Sequence, residues 1–189
     1  MARGSTTPCF FCFLIDDRYV RILNIFAQGV EKYDVFCYNG SGESFEFQEG
    51  GMKLIVCTDN RGGMMFFNRR SARDRYAIDD IIRDAAEKRI LIAPYSEKLF
   101  KEQCGEYTIL PDPLGAAEAD DFVFIEDRSA RPYLKKIDSI TVYSWDLPYP
   151  FDQSFDIDPI AEGFELSAVT EFKGHAHDLV KKSVYTRKK

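Results

Sequence analysis

The fold of this chain is decided by one stretch of sequence, Met52-Lys53-Leu54-Ile55-Val56-Cys57-Thr58-Asp59-Asn60-Arg61-Gly62-Gly63. Its first half is a short apolar run with β-branched residues, which indicates a buried strand. Asp59 and Asn60, followed by two glycines, are typical of a tight turn. Glycine also lets a backbone approach a bound ligand closely. The stretch therefore predicts a buried strand that leads into a ligand-facing loop.

The composition is that of a globular protein. Of the 189 residues, 45% are hydrophobic and 14% are aromatic, which argues against disorder. The formal net charge of −6 argues against a general surface for nucleic acid or an anionic membrane. No apolar run approaches the roughly 20 residues needed to cross a bilayer. We therefore expect a small-molecule ligand rather than nucleic acid or membrane.

The cysteines point to a reducing compartment. There are five, an odd number at irregular spacings, which predicts reduced thiols and a cytoplasmic location rather than a disulfide framework. Cys9 and Cys12 form a Cys-x-x-Cys pair, but no second pair stands at zinc spacing. Coincidence is the favoured interpretation of that pair.

Residues 1–51 differ in texture from the rest of the chain. Residues 39–42 (Asn-Gly-Ser-Gly) predict a turn, and residues 44–48 alternate like a short strand. One hypothesis is a β-rich N-terminal extension. The other is that translation starts at Met52, because codons for the Gln-Glu-Gly-Gly before it can form a purine-rich ribosome-binding sequence. The predicted organisation is an extension over 1–51 and a domain over 52–189.

After Met52 the pattern predicts an α/β fold. A stripe of Ala and Ile at helical spacing predicts a helix over 74–88, with Ser71 or Asp74 as its N-cap. Strands alternate with helices early and follow one another late, which indicates a mixed sheet flanked by helices. The other predicted elements are strands over 54–58, 89–93, 107–110, 121–126, 139–145, 163–172 and 179–187, a short helix over 96–102 and a loop over 62–68.

Residues 52–63 resemble the opening of a dihydrofolate reductase, in which a first strand with a small residue precedes an Asp and a glycine-containing loop. The strand over 138–143, the Asp-containing loop over 152–158 and the last strand over 183–187 resemble the C-terminal half of that family. Asp156 stands where the family usually has Pro. The resemblance covers about residues 52–189. It implies a dihydrofolate reductase-like mixed sheet flanked by helices, with antiparallel C-terminal strands.

The same resemblance implies an NADPH site, but the residues there differ. The family has Met-Gly-Arg-Lys-Thr after the second strand, where this chain has Ala93-Pro94-Tyr95-Ser96-Glu97. The family has Gly-Gly after a later strand, where this chain has Glu126-Asp127. Two carboxylates repel a pyrophosphate, and their Cβ atoms block the approach that glycine permits. The segment before Phe122 is also too short for the family's helix. We expect no cofactor here.

A ligand pocket is expected between the first strand, the loop after it and the first helix. Arg73 and Arg75 border that loop, so we expect a positively charged pocket entrance that suits a small anion. The family's proton-assisting acid sits in the first helix, where Asp79 is the candidate after a small register shift, although a solvated helix-face acid is the favoured interpretation. The residues predicted to form the pocket are Cys57, Asp59, Gly63, Met64, Met65, Arg73 and Arg75.

Three functions remain open from the sequence. The preferred one is a dihydrofolate reductase-fold protein without NADPH-dependent reduction that binds a small anionic ligand or a partner. The second is an active dihydrofolate or pterin reductase that uses NADPH in an altered mode, with Asp79 assisting protonation and Cys57 lining the pterin pocket. Otherwise Cys57 is a packing thiol.

The third is a metal-dependent hydrolase around His175 and His177, which stand in a fragment similar to the His-x-His-x-Asp-His motif of ribonuclease Z-type enzymes. Residues at i and i+2 of a strand face the same side and can chelate a metal. The final His of the motif is missing, however, and Gly174-His175 is more simply the turn of the closing hairpin. No metal site is therefore predicted.

Overall fold

The structure is a computed structural model that describes the backbone of residues 11–15, 18–27, 30–38 and 44–46, and residues 50–86 and 88–188 in full. The chain divides into two compact units, Met1–Glu49 and Gly50–Lys189. The first unit has an antiparallel sheet in the order β1-β2-β3-β4. Its strands are β1 Phe11–Ile15, β2 Arg18–Ala27, β3 Val30–Tyr38 and β4 Ser44–Glu46.

The strand β4 lies within the run that alternates over 44–48, as the sequence predicted. The turn predicted over 39–42 lies outside the described residues, as does Cys9 of the Cys-x-x-Cys pair.

The second unit is built on ten strands and two α-helices. They are β5 Met52–Thr58, β6 Gly63–Phe66, β7 Arg69–Arg70, α1 Arg75–Ala85, β8 Ile90–Ile92, α2 Glu97–Phe100, β9 Thr108–Ile109, β10 Phe122–Ile125, β11 Ile137–Trp145, β12 Gln153–Ser154, β13 Phe164–Phe172 and β14 Val180–Arg187. Short 3₁₀ turns at Pro94–Ser96 and Arg131–Lys136 complete it.

Seven of these strands form one mixed sheet in the order β13-β14-β11-β5-β10-β8-β9. The strand β5 is central and runs parallel to both neighbours, β10 and β11. The last two strands, β13 and β14, are antiparallel, and β14 is also antiparallel to β11. This confirms the predicted mixed α/β sheet with antiparallel C-terminal strands. Because β5 is covered on both faces, its sequence is an almost continuous apolar run.

The first helix begins and ends at identifiable residues. Asp74 is its N-cap, and the Asp74 side chain accepts a hydrogen bond from the Tyr76 amide. The predicted apolar stripe forms the buried face. The helix ends at Ala85 instead of residue 88, because Ala86 has a positive φ of 49° and its amide bonds back to Arg83.

Each face of the sheet carries its own core. On one face α1 and α2 pack against Ile55, Phe124 and Tyr143. On the other face Leu54 and Val56 lie in a second cluster. Fully burying a Leu or Val side chain stabilises a fold by about 1.5–3 kcal/mol. Two such cores hold the central strand in place, so the groups at its C-terminal end have a rigid support.

The predicted loop over 62–68 is wrong, since it contains the strand β6. This strand pairs with β7 and with β12 in a small three-stranded sheet. The hairpin turns at Phe67 and Asn68, whose φ angles are 48° and 57°. The partner β12 lies about 90 residues further along the chain, so local sequence gave no signal for it. In the described part of the chain, no helix is long and apolar enough to cross a membrane.

Candidate functional site

Two adjoining cavities lie where the first helix meets the end of the central strand. The inner cavity leaves only about 10 Å³ open to the centre of a water molecule, which is about one water. The outer cleft offers about 380 Å³ and opens to solvent. The two cavities share Arg73, Asp74, Ile78 and Leu99 in their walls. They therefore form one site with a narrow inner part and a wider outer part.

The structure brings most of the predicted pocket residues to these cavities. Cys57, Gly63 and Met64 line the inner cavity, Arg75 lines the outer cleft, and Arg73 lines both.

Three predicted residues line neither of these two cavities. Asp59 and Met65 are buried beside the site. Asp79 is half-buried on α1. The carboxylate of the first helix that does reach both cavities is Asp74, which is 2% exposed.

Both oxygens of the Asp74 carboxylate accept hydrogen bonds from within the protein. Its Oδ1 accepts from the amides of Tyr76 and His175. Its Oδ2 accepts from the amides of Ala176 and His177, and lies 3.0 Å from the His177 Nδ1. Burial by itself raises the pKa of Asp74, but these hydrogen bonds outweigh it and hold the pKa below the ordinary value. The ionised Asp74 carboxylate therefore holds the turn between β13 and β14 in place.

The position of the Asp74 carboxylate also explains why residue 174, in that turn, is a glycine. A Cβ atom on Gly174 would lie 2.3 Å from the Asp74 Oδ2, which no real contact tolerates. The Gly174 amide donates to the His177 carbonyl at 2.9 Å. Residues 174–177 are therefore the turn of the closing hairpin, as the sequence predicted.

The side chain of His177 has no free ring nitrogen for a metal. Its Nδ1 faces Asp74 and its Nε2 lies 3.2 Å from the Tyr149 hydroxyl. The ring also stacks on Trp145, with centroids 4.6 Å apart. His175, in contrast, is exposed and meets Tyr76 edge-on. Within the described residues no group of three or more His, Cys, Asp or Glu side chains is placed to hold a metal ion.

Asp59 holds the turn after the central strand. Its carboxylate accepts from the amides of Arg61 and Gly63 at 2.9 and 2.7 Å, and from the Tyr149 amide at 2.9 Å. Burial by itself raises the pKa of Asp59, but the hydrogen bonds from these three amides outweigh it, so the pKa is lowered. The residue therefore supports the wall of the site from behind rather than facing a ligand.

Both departures from the reductase pattern meet at the inner cavity. The Ser96 hydroxyl donates to the Glu126 Oε1 at 2.7 Å, and the Arg70 Nη2 donates to the same oxygen at 3.0 Å. The Glu126 side chain is 5% exposed. Burial raises its pKa, and Arg70 and Ser96 offset this only in part. The adjacent Asp127 is paired with Arg128.

These residues do not fit a pyrophosphate. A phosphate site needs amide donors or cations that are free to face the anion. Here Glu126 stands where the resemblance implies the family's Gly-Gly, and its Oε1 is already bonded to Ser96 and Arg70. The resemblance named these positions, but nothing local in the sequence indicated that they would contact each other.

The outer cleft combines apolar and charged groups. Ile78 and Leu99 contribute apolar surface. The Arg73 Nη1 lies 3.4 Å from the Glu102 carboxylate, with both side chains well exposed. The Arg75 Nε donates to the Gln103 side chain at 3.3 Å, and Arg75 has no acidic partner within the described part of the chain. The cleft thus offers a cation beside an apolar wall.

Cys57 behaves as a packing thiol. Burial raises its pKa, and the charges of Glu126 and Asp74 raise it further, while Arg70 lowers it. The thiol is therefore protonated at neutral pH, and the thiolate that would react is scarce.

Comparison with known proteins shows the fold. No family model and no curated protein matches the sequence. Among solved structures, dihydrofolate reductase from Enterococcus faecalis, complexed with NADP(H) and RAB-propyl, matches with a TM-score of 0.53 and 8% sequence identity. The match covers 75% of this chain and 98% of that one. The protein therefore has a dihydrofolate reductase-like fold.

Proposed function

We propose that this protein is a dihydrofolate reductase-fold protein without NADPH-dependent reductase activity, and that it binds a small anionic ligand in the outer cleft. The observation that carries the proposal is the contact of Ser96 and Arg70 with Glu126. It joins the two positions at which the family resemblance implies cofactor phosphates. The cations beside these positions are already paired, Arg70 with Glu126 and Arg128 with Asp127, so neither arginine is free to face a pyrophosphate.

The buried carboxylate of the first helix supports the same conclusion. A proton-assisting acid must release and regain a proton near the pH of the reaction. The pKa of Asp74 is lowered, and four backbone amides and the His177 Nδ1 lie against its two oxygens. Asp74 is therefore a poor proton donor, and neither oxygen is free to contact a substrate. Asp79 lines neither cavity.

The outer cleft supports the ligand half of the proposal. Its volume of about 380 Å³ lies in the range of small-molecule sites. Ile78 and Leu99 can contact an apolar body, while Arg73 and Arg75 can pair with a carboxylate or phosphate group. The expected ligand is a small organic anion with an apolar part.

The test is a thermal-shift screen with NADPH, folates and a panel of organic anions, followed by calorimetry. We expect NADPH to bind more weakly than about 100 µM, or about −5.5 kcal/mol. A hit among the anions should lose its shift in Arg73→Gln/Arg75→Gln and keep it in Arg83→Gln, because Arg83 lies on the same helix and pairs with Asp80 instead. A full response in the double variant would place the ligand elsewhere.

An active reductase is the second candidate, favoured by the structural match to a reductase in complex with NADP(H). In it, NADPH would bind in an altered mode, with Asp79 assisting protonation and Cys57 lining the pterin pocket. A micromolar dissociation constant for NADPH, together with loss of its 340 nm absorbance on adding dihydrofolate, would establish this candidate and overturn the first.

A further inference from the structure

Glu126 has one carboxylate oxygen to which no described residue donates a hydrogen bond. Its Oε1 accepts from the Ser96 hydroxyl and the Arg70 guanidinium. Its Oε2 has no donor within residues 50–86 and 88–188. The Glu126 side chain is only 5% exposed, so this oxygen is also largely screened from bulk solvent. Because buried polar atoms are almost always hydrogen-bonded, Oε2 indicates a place where a donor from outside the chain binds.

Glu126 lies in the wall of the inner cavity, whereas the two residues bonded to its Oε1 do not. The cavity offers about 10 Å³, which is the space of one water molecule and therefore also suits a single amino group. The charge of Glu126 contributes to the raised pKa of Cys57, which lines the same cavity. The carboxylate is therefore close to the space that a small donor can occupy.

The charges around the inner cavity favour a cation over an anion. Two carboxylates, Asp74 and Glu126, lie in its wall together with Arg73. The Arg73 side chain is well exposed and pairs with Glu102, which lines only the outer cleft. The hydrogen bonds to Oε1 offset burial only in part, so the pKa of Glu126 is raised. A positively charged donor at Oε2 would stabilise the ionised carboxylate further.

We propose that the inner cavity is a subsite for an amino group, and that the ligand carries this group at one end and its anionic group at the other. The amino group donates to the Glu126 Oε2, and the anionic group pairs with Arg75 in the outer cleft. Ile78 and Leu99 line both cavities, so an apolar chain can join the two ends. The ligand class is a small amino acid whose amine and acid are separated by an apolar segment. This inference rests on the proposed function, since it adds a second contact to the same anionic ligand.

The test compares matched probes by calorimetry with the full chain. One series consists of unbranched ω-amino acids of four to eight carbons, and the other of the carboxylic acids of the same lengths without the amine. We expect at least one ω-amino acid to bind at least tenfold more tightly than its matched carboxylic acid, because a charge-assisted hydrogen bond to a buried carboxylate is strong.

Two variants locate the contact of the amine. In Glu126→Gln the advantage of the amine should be lost, because the Gln side chain keeps one acceptor oxygen but replaces the other with an amino group. Glu102→Gln is the matched control, since Glu102 is the exposed carboxylate of the outer cleft. The advantage should persist in this control, which separates the inner cavity from general attraction in the outer cleft.

A trimethylated form of the tightest ω-amino acid covers the case in which Glu126→Gln fails to fold. Its quaternary ammonium keeps the positive charge, but it cannot donate a hydrogen bond and is too large for the space of one water molecule. In the wild type it should lose the advantage of the amine.

The inference is overturned by an advantage that survives in Glu126→Gln or after trimethylation. Equal affinities across the two series, or no binding by any ω-amino acid, would overturn it as well. The proposed function fails on different results, namely when no organic anion of the thermal-shift screen binds or when Arg73→Gln/Arg75→Gln keeps the full response.

Discussion

Replacing Asp74 with Asn should destabilise the protein far more than the same change at Asp79 on the same helix. The Asp74 carboxylate accepts hydrogen bonds from four backbone amides and faces the His177 Nδ1. An Asn side chain keeps one acceptor oxygen and presents an amino group that cannot accept. At least two of the five donors are therefore left without an acceptor inside the protein.

The size of the effect follows from those unpaired donors. Each buried donor without a partner costs about 1–3 kcal/mol, and small backbone shifts recover part of this. We expect Asp74→Asn to lower the free energy of unfolding by roughly 3 kcal/mol. Asp79 is half-buried, so Asp79→Asn should change the free energy of unfolding by less than about 0.5 kcal/mol.

Urea unfolding followed by tryptophan fluorescence is the assay. Trp145 is the single tryptophan and stacks on His177, so its signal reports on this region. The pH dependence gives a second check. Because the folded pKa of Asp74 lies below its unfolded value of about 3.9, its stabilisation is present above about pH 4 and is lost as the pH falls through the folded pKa. Asp74→Asn should therefore be less sensitive to acid than the wild type. Equal stability of the two Asn variants would refute the conclusion that the Asp74 carboxylate holds the turn between β13 and β14.

Two further predictions concern the fold. A chain shortened to begin at Met52 should melt cooperatively, because every strand of the seven-stranded sheet lies after that point; an aggregated or unfolded product would contradict this. Gly174→Ala should cost about 1–3 kcal/mol in urea unfolding, since its Cβ would collide with the Asp74 carboxylate, whereas Gly50→Ala, with open space around it, should be neutral. Similar values for the two alanine variants would argue against the close approach at Gly174.

Much of the fold could be predicted from local pattern. A segment of about ten residues is enough to recognise each of three features: the apolar run at β5, the helical stripe of α1 and its N-cap Asp74. Each such segment carries its own hydrophobic period, so strand and helix can be told apart without knowledge of the rest. The β6 strand was missed because the Gly62-Gly63 pair at its start and its short length are also typical of a loop, and its pairing with β12 is not local.

The sequence by itself determined the order of the elements of the seven-stranded sheet and its antiparallel end, and it predicted a pocket beside Cys57. Only the tertiary structure decided which side chains meet there. Asp74 and His177 are 103 residues apart, and Arg70 and Glu126 are 56 apart. Hydrophobic periodicity specifies which face of an element is buried, whereas the partner of a buried charge depends on strand order and register across the whole sheet. For that reason the hydrogen bonds to the Asp74 carboxylate and the contact of Arg70 with Glu126 could be seen only in the folded chain.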